Sequence, residues 1–301
     1  MEREHVPWVL RALAQFEGKE SANATMITLQ DPVSPTKKNR RLKIYSNPHY
    51  LHLRTITGLT NAQVQSSLSQ PPTVHETSGT GTLLIYTGDL RFVLKSLGKE
   101  EFDQLERMGQ AYGQHIEQHR ESVLVRMQGV YRVKVYGTYR KTKLWCLLME
   151  NVFSAPACLE SRFDLKGSEF GRTSESSVQG LDLDFLDSGL HLCLGGLRTP
   201  FLSQLTLDIS FLQSQTLFDY SLLVGISPMQ RGVRSEGRNY CWQGEQDRVY
   251  FLAIIDLASC YSPSRQLETA AKSLLFGQTI SCVPPDQYAQ RLLKAVSGLV
   301  V

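Results

Sequence analysis

The run Leu217-Phe218-Asp219-Tyr220-Ser221-Leu222-Leu223-Val224-Gly225-Ile226 most narrows what this chain can become. Its composition suits a buried strand, yet one carboxylate, Asp219, sits inside it. An unpaired charge in such surroundings costs on the order of several kcal/mol. Asp219 therefore caps a turn ahead of the strand, pairs, binds a cation or does chemistry. A second apolar run of strand type, residues 250–255, stops at Asp256. Two acids at the edges of apolar segments suit a site for magnesium and phosphate.

With 301 residues, 42% of them hydrophobic, the chain fits one two-lobed domain or two small ones. A net charge of +3 is too small to imply nucleic acid as a partner. Six cysteines, with no Cys-x-x-Cys, read as reduced thiols of an intracellular protein. Met1-Glu2-Arg3-Glu4 is too acidic for a signal peptide, and no apolar run approaches the ~18 residues of a membrane span. The expectation is a protein that is soluble or peripheral to a membrane.

Residues 6–17 carry Trp8, Val9, Leu10, Leu13 and Phe16 in a rough helical stripe, which packs on its own chain or docks a partner. Residues 18–36 read as a linker, so 1–36 is taken as an N-terminal helix and linker ahead of a domain spanning 37–297. Lys37, Lys38, Arg40, Arg41 and Lys43 put five cations into seven positions. They form a solvated tether or a patch for anionic lipid, worth roughly 1 kcal/mol per cation near a membrane. Residues 45–59 have helical spacing, with Gly58 as a stop.

The turn Ser78-Gly79-Thr80-Gly81-Thr82 precedes two strand-like runs, 83–86 and 90–94. Its glycines allow close approach of backbone N–H groups to phosphate oxygens. Lys95 then ends Phe92-Val93-Leu94-Lys95, as a lysine reaching nucleotide phosphates does, or as an ordinary exposed strand-end lysine. Residues 99–119 form the clearest helix. Its His115 and His119 lack the glutamate of a His-Glu-x-x-His zinc site. Strands are expected over 123–139 and 143–149, with Met149 and Asn151 in a hinge over a nucleotide base. Residues 171–180 are poorly patterned, 201–217 should be a helix and 227–247 a polar insertion. The amphipathic stretch 262–276, bearing Arg265 and Lys272, suits a membrane surface or the core.

Three segments, Phe163-Asp164-Leu165-Lys166-Gly167-Ser168, the Asp219 run and Ile254-Ile255-Asp256, have an order and spacing that resemble the phosphatidylinositol phosphate kinases. The likeness runs from about Tyr45 to Pro284-Pro285-Asp286-Gln287-Tyr288-Ala289, and within the family the short chain resembles a kinase-like branch with diverged motifs. The resemblance implies a two-lobed, kinase-like α+β fold with an N-lobe over about 37–150 and a C-lobe over about 151–297. It implies ATP and Mg²⁺, a phosphatidylinositol monophosphate as substrate, and a place on the cytoplasmic face of membranes. It assigns Lys95 to the α- and β-phosphates, and Gly79 and Gly81 to covering them. Met149 and Asn151 join the ATP site. Lys166 stands near the γ-phosphate, Asp219 acts on the inositol hydroxyl, and Asp256 holds Mg²⁺.

Some positions depart from that pattern. Gln104 stands where a glutamate pairs with the lysine, and Glu101 or Glu106 substitutes only if the helix shifts register. The basic stretch after the Asp-Leu-Lys-Gly-Ser motif is Glu169-Phe170-Gly171-Arg172-Thr173-Ser174-Glu175, paired lysines become Arg265-Gln266, and a histidine becomes Ser227. These losses imply weak activity, or a scaffold that keeps the fold and associates with active relatives at membranes.

Overall fold

The computed structural model describes residues 6–18, 24–29, 40–76, 81–136, 141–154, 159–168, 171–175, 179–228, 240–245, 247–261 and 283–301. They fall into two compact units: one reaches Gln118 and resumes over Arg126–Ser154, and the other takes His119–Val125 and the chain beyond residue 154.

The first unit is built on a seven-stranded antiparallel sheet in the order β1-β2-β6-β7-β5-β4-β3. Its strands are β1 (Ala24–Leu29), β2 (Arg40–Ser46), β3 (Thr73–Glu76), β4 (Leu83–Tyr86), β5 (Phe92–Leu97), β6 (Met127–Tyr136) and β7 (Lys141–Glu150). Its helices are α1 (Val6–Glu17), α2 (Pro48–Thr57), α3 (Asn61–Leu68) and α4 (Lys99–Gln118). The period-2 alternation of β2 explains why it pairs rather than remaining a tether. Leu42 and Ile44 are fully buried, while Arg41 is exposed and Lys43 and Tyr45 are half-buried. Residues 40–43 of the basic run therefore belong to a strand paired on both sides. The stretch read as a linker contains a further strand, β1, and the helical reading of 45–59 begins too early. Asn47 caps α2, accepting the His49 N–H at 3.0 Å, and Gly58 closes it at φ +69°.

Helix α1 packs on its own chain. Trp8, Val9, Leu13 and Phe16 join the core that includes Leu42, Ile44, Tyr131 and Val133, each burial contributing about 2 kcal/mol. Glu17, at the end of α1, lies in a buried network. It pairs with Arg54, which also donates through Nη2 to Tyr131 Oη at 2.7 Å and through Nε to the Gln128 carbonyl at 2.8 Å. Burial opposes the Arg54 charge, but Tyr131 and Glu17 outweigh it and raise the pKa above its ordinary value.

The second unit holds a four-stranded antiparallel sheet, β10-β11-β9-β8. Its strands are β8 (Ser161–Leu165), β9 (Ser221–Pro228), β10 (Cys241–Gln243) and β11 (Arg248–Ile255). Around it lie α5 (Asp182–Asp187), α6 (Arg198–Ser214) and α7 (Pro285–Leu299). Residues 123–125, expected to begin β6, instead join β11: Ile254 N–H donates to Val123 O at 2.8 Å, and Val125 N–H donates to Ile254 O at 2.9 Å. The Asp208 carboxylate of α6 accepts the Val123 N–H at 2.7 Å and fixes that strip.

Candidate active site

In the second unit, the last pair of the β9–β11 ladder is Ser221 with Ile255, and Leu165 of β8 stands opposite Leu222. Lys166 follows β8, Asp219 precedes β9 by two residues, and Asp256 follows β11. Strand register thus brings all three to one end of three adjacent strands. The Lys166 ammonium donates to Asp219 Oδ1 at 2.6 Å. Asp219 and Asp256 have φ of +62° and +64°. That conformation costs a non-glycine residue about 1 kcal/mol and persists only where the surroundings over-determine it.

Asp182, the first residue of α5, organises the turn that carries Lys166. Its Oδ1 accepts the N–H groups of Lys166, Gly167 and Ser168 at 3.0, 2.7 and 3.2 Å. Its Oδ2 takes the Arg172 Nε at 2.7 Å, while Arg172 Nη2 lies 2.8 Å from Asp164 Oδ1. Asp164 Oδ2 in turn accepts the Ser221 hydroxyl at 3.0 Å. Burial opposes the Arg172 charge, but its hydrogen bonds to the Asp182 and Asp164 carboxylates raise its pKa. Arg172 falls in a stretch that patterning left unassigned. Its usable signal was an arginine lying between acids at Asp164, Asp182 and Asp184.

Helix α7 backs both turns. At Gly167, with φ +67°, a Cβ would lie 3.0 Å from Arg291 O and from Leu292 Cα. Tyr288 donates its hydroxyl to the Tyr220 carbonyl and stands edge-on to the Tyr220 ring at 4.8 Å. Burial first, then the Asp219 charge, lifts the Tyr288 pKa well above its ordinary value and keeps the hydroxyl a donor.

In the first unit, Lys95 lies within β5, paired with Leu84 and Leu147. An ungapped reading put Gln104 at the position of the glutamate that pairs with Lys95, but the ion pair is made by Glu101. Glu101, in the first turn of α4, places Oε1 3.8 Å from Lys95 Nζ. Gln104 is buried and accepts from Arg107 Nη2 at 2.6 Å. Gly81 stands just before β4 at φ +65°. Half-buried Met149 pairs with Val93 and Met127. The Asn151 amide is engaged with backbone, donating to Leu90 O at 2.8 Å and accepting the Phe153 N–H at 3.1 Å. That bracket fixes the end of β7 against the turn before β5.

Of the proposed lipid-binding cations, Lys37, Lys38, Arg265 and Lys272 lie outside the described residues, as does Gly79, and of Arg40 only the strand backbone is described. Arg41 belongs to a larger array. Lys43 of β2 stands opposite Lys134 of β6, which stands opposite Lys143 of β7. The Tyr45 ring, opposite Arg132, has Arg132 Cζ at 4.3 Å, Lys134 Nζ at 4.9 Å and Lys43 Nζ at 5.1 Å from its centroid. A hydrogen bond from Lys43 lowers the Tyr45 pKa against the opposing effect of burial. Among the described residues there is no cluster of three or more metal-ligating side chains and no helix long and apolar enough to cross a membrane.

The sequence model for "Phosphatidylinositol-4-phosphate 5-Kinase" matches residues 67–245 and 233–299. The chain is 28% identical over 294 residues to the human phosphatidylinositol 4-phosphate 5-kinase-like protein 1, covering 84% of this chain and 74% of that one. It is 26% identical over 326 residues to the human phosphatidylinositol 5-phosphate 4-kinase type-2 beta, covering 86% and 77%. A Schizosaccharomyces pombe phosphatidylinositol 4-phosphate 5-kinase is 27% identical over 282 residues, with 88% of this chain but 38% of that longer protein covered. By the family match, which spans most of its length, and by the mixed helices and antiparallel sheets it folds into, the chain belongs to the phosphatidylinositol-4-phosphate 5-kinase family, with an α+β kinase-type fold.

Proposed function

We propose that the protein transfers the γ-phosphate of ATP to phosphatidylinositol 4-phosphate, giving the 4,5-bisphosphate, at the cytoplasmic face of a membrane. The observation that carries this reading is the meeting of Lys166, Asp219 and Asp256 at one strand end, with the Lys166 ammonium 2.6 Å from Asp219. Phosphoryl transfer asks mainly for positioning and charge neutralisation. Asp219 accepts the proton of the attacking inositol hydroxyl. Lys166 holds the Asp219 carboxylate in direction and offers its ammonium to γ-phosphate oxygens. In the first unit, Lys95, held by Glu101, supplies the ammonium for the α- and β-phosphates.

Mg²⁺ fits the donor set, because it is commonly bound by one or two carboxylates together with substrate phosphates, and Asp256 ends its strand beside the Asp219 turn. Asp256 would hold the ion, which would supply positive charge to offset that of the transferring phosphate. Support for a membrane as the place of reaction comes from Arg41, Lys43, Arg132, Lys134 and Lys143 on one sheet face. The pairing of Lys95 with Glu101 removes one ground for the scaffold reading, which rested partly on the missing charge at Gln104.

The test is a vesicle assay with ATP and Mg²⁺, using wild type and Asp219→Asn in parallel. Vesicles carry phosphatidylinositol 4-phosphate in one arm and the 5-phosphate in the other. Turnover by wild type on the 4-phosphate, lost in Asp219→Asn, supports the reading. Preference for the 5-phosphate overturns the substrate assignment. No product on either lipid overturns the activity.

A further inference from the structure

The carboxylate of Asp219 points where its neighbours force it to point. Its left-handed conformation, φ +62°, is not self-sustaining for an aspartate. Lys166 fixes the carboxylate end. The backbone on either side must be fixed separately, and much of that falls to one side chain. Tyr288, fully buried on α7, donates its hydroxyl to the carbonyl of Tyr220. Its ring stands edge-on to Phe218 at 6.4 Å and 89°, and to Tyr220 at 4.8 Å and 71°. These contacts grip the residues immediately before and after Asp219. Phe218 is further held by its N–H on Ser259 O at 3.2 Å and by the Tyr261 ring at 5.5 Å.

We propose that Tyr288 is a positioning residue for Asp219, acting through Phe218 and Tyr220 rather than on substrate. The same helix lies against Gly167, where no Cβ fits without displacing the Arg291 and Leu292 backbone. Helix α7 therefore sets the Lys166 turn and the Asp219 turn against a common backing. A shift of Tyr288 changes where the Asp219 carboxylate meets Lys166 without altering either residue. In its catalytic consequence the inference rests on the kinase reading. In its geometric content it does not.

The experiment uses the full chain with Tyr288→Phe, which keeps the ring and deletes the hydroxyl, and Tyr288→Leu, which deletes the ring. Lys294→Ala, at an exposed position of the same helix, is the control. One measurement is the ¹³C carboxyl resonance of Asp219, assigned with Asp219→Asn. The other is kcat and KM for ATP on vesicles containing phosphatidylinositol 4-phosphate. Tyr288→Phe is expected to move the Asp219 resonance and to lower kcat by about five- to tenfold with KM for ATP unchanged. Tyr288→Leu should give a larger loss of kcat, and Lys294→Ala neither effect. An Asp219 resonance that stays in place in Tyr288→Phe overturns the proposal, whatever happens to melting temperature. A wild type without turnover sinks the kinase reading alone, and the resonance still decides whether Tyr288 positions Asp219.

Discussion

Glu101 approaches Lys95 from the first turn of α4, with Oε1 3.8 Å from Nζ, while its Oε2 accepts the Gly98 N–H at 2.7 Å. One carboxylate thus caps the helix and holds the lysine. Glu101→Gln keeps an acceptor for the cap and deletes the charge. It is expected to weaken ATP binding about fivefold, or about 1 kcal/mol, by calorimetry. Gln104→Ala should leave ATP affinity within about twofold, because Gln104 bonds Arg107. A larger effect at Gln104 than at Glu101 would reverse this assignment.

The Asp182 carboxylate accepts three successive backbone amides and the Arg172 guanidinium. Asp182→Asn retains the shape but replaces the charged acceptor and places an NH₂ among donors. The expected loss is about 2–4 kcal/mol of unfolding free energy in urea, with kcat falling more than KM for ATP. Arg172→Lys loses the fork that reaches both Asp182 and Asp164, and should cost about half as much.

Lys166 was legible only through the family resemblance, since β8 carries Ser161, Arg162 and Asp164 and has no apolar run to mark it. The Asp219–Asp256 pair was legible because each acid lies beside an apolar run of strand character, and strand ends converge once register is set. The α4 helix was legible in the same way, from a long periodic segment. Glu101 was legible only as an alternative that needed a register shift, because ungapped alignment put Gln104 at the lysine's partner position, whereas the helix start supplies the partner. Strand β2 was hidden by a basic run: five charges in seven residues, three of them in the strand, read as solvated, although Leu42 and Ile44 alternate with Arg41 and Lys43. Strand β1 and the role of Glu17 depend on pairing with distant partners, Arg40–Tyr45 and Arg54, which local pattern does not reveal. Arg172 and Asp182 are ordinary loop and helix-start residues until β8 and α5 bring them together.

Removal of Glu17 leaves Arg54 buried without its carboxylate. Arg54 is 1% exposed and Glu17 3%. Glu17→Ala should cost about 3–5 kcal/mol, read as a lower urea midpoint, and should loosen α1 from the sheet. The double variant Glu17→Ala with Arg54→Met removes the stranded charge and is expected to recover part of that loss. A double variant less stable than Glu17→Ala alone would mean that Arg54 is held mainly by Tyr131, Asn61 and the Gln128 carbonyl.

Lys43, Lys134 and Lys143 stand abreast across three neighbouring strands. Like charges placed directly opposite repel, a cost that contacts of Lys43 and Lys134 with the Tyr45 ring offset in part. The residues alternating with them, Leu42, Ile44, Val133, Val135, Leu144 and Cys146, are buried and set the strand register. The cations are therefore confined to the other face, where we propose that a flat anionic surface meets them together. The triple variant Lys43→Ala, Lys134→Ala, Lys143→Ala removes about 1 kcal/mol of attraction per cation. Binding to vesicles containing phosphatidylserine should weaken on the order of 100-fold in a sedimentation assay at low salt. Raising salt should weaken wild type far more than the variant, because charges near the surface are screened. Melting temperature should change little, since relief of repulsion across the strands is set against loss of the Tyr45 contacts of Lys43 and Lys134. Undiminished vesicle binding by the triple variant would move membrane attachment away from this sheet face.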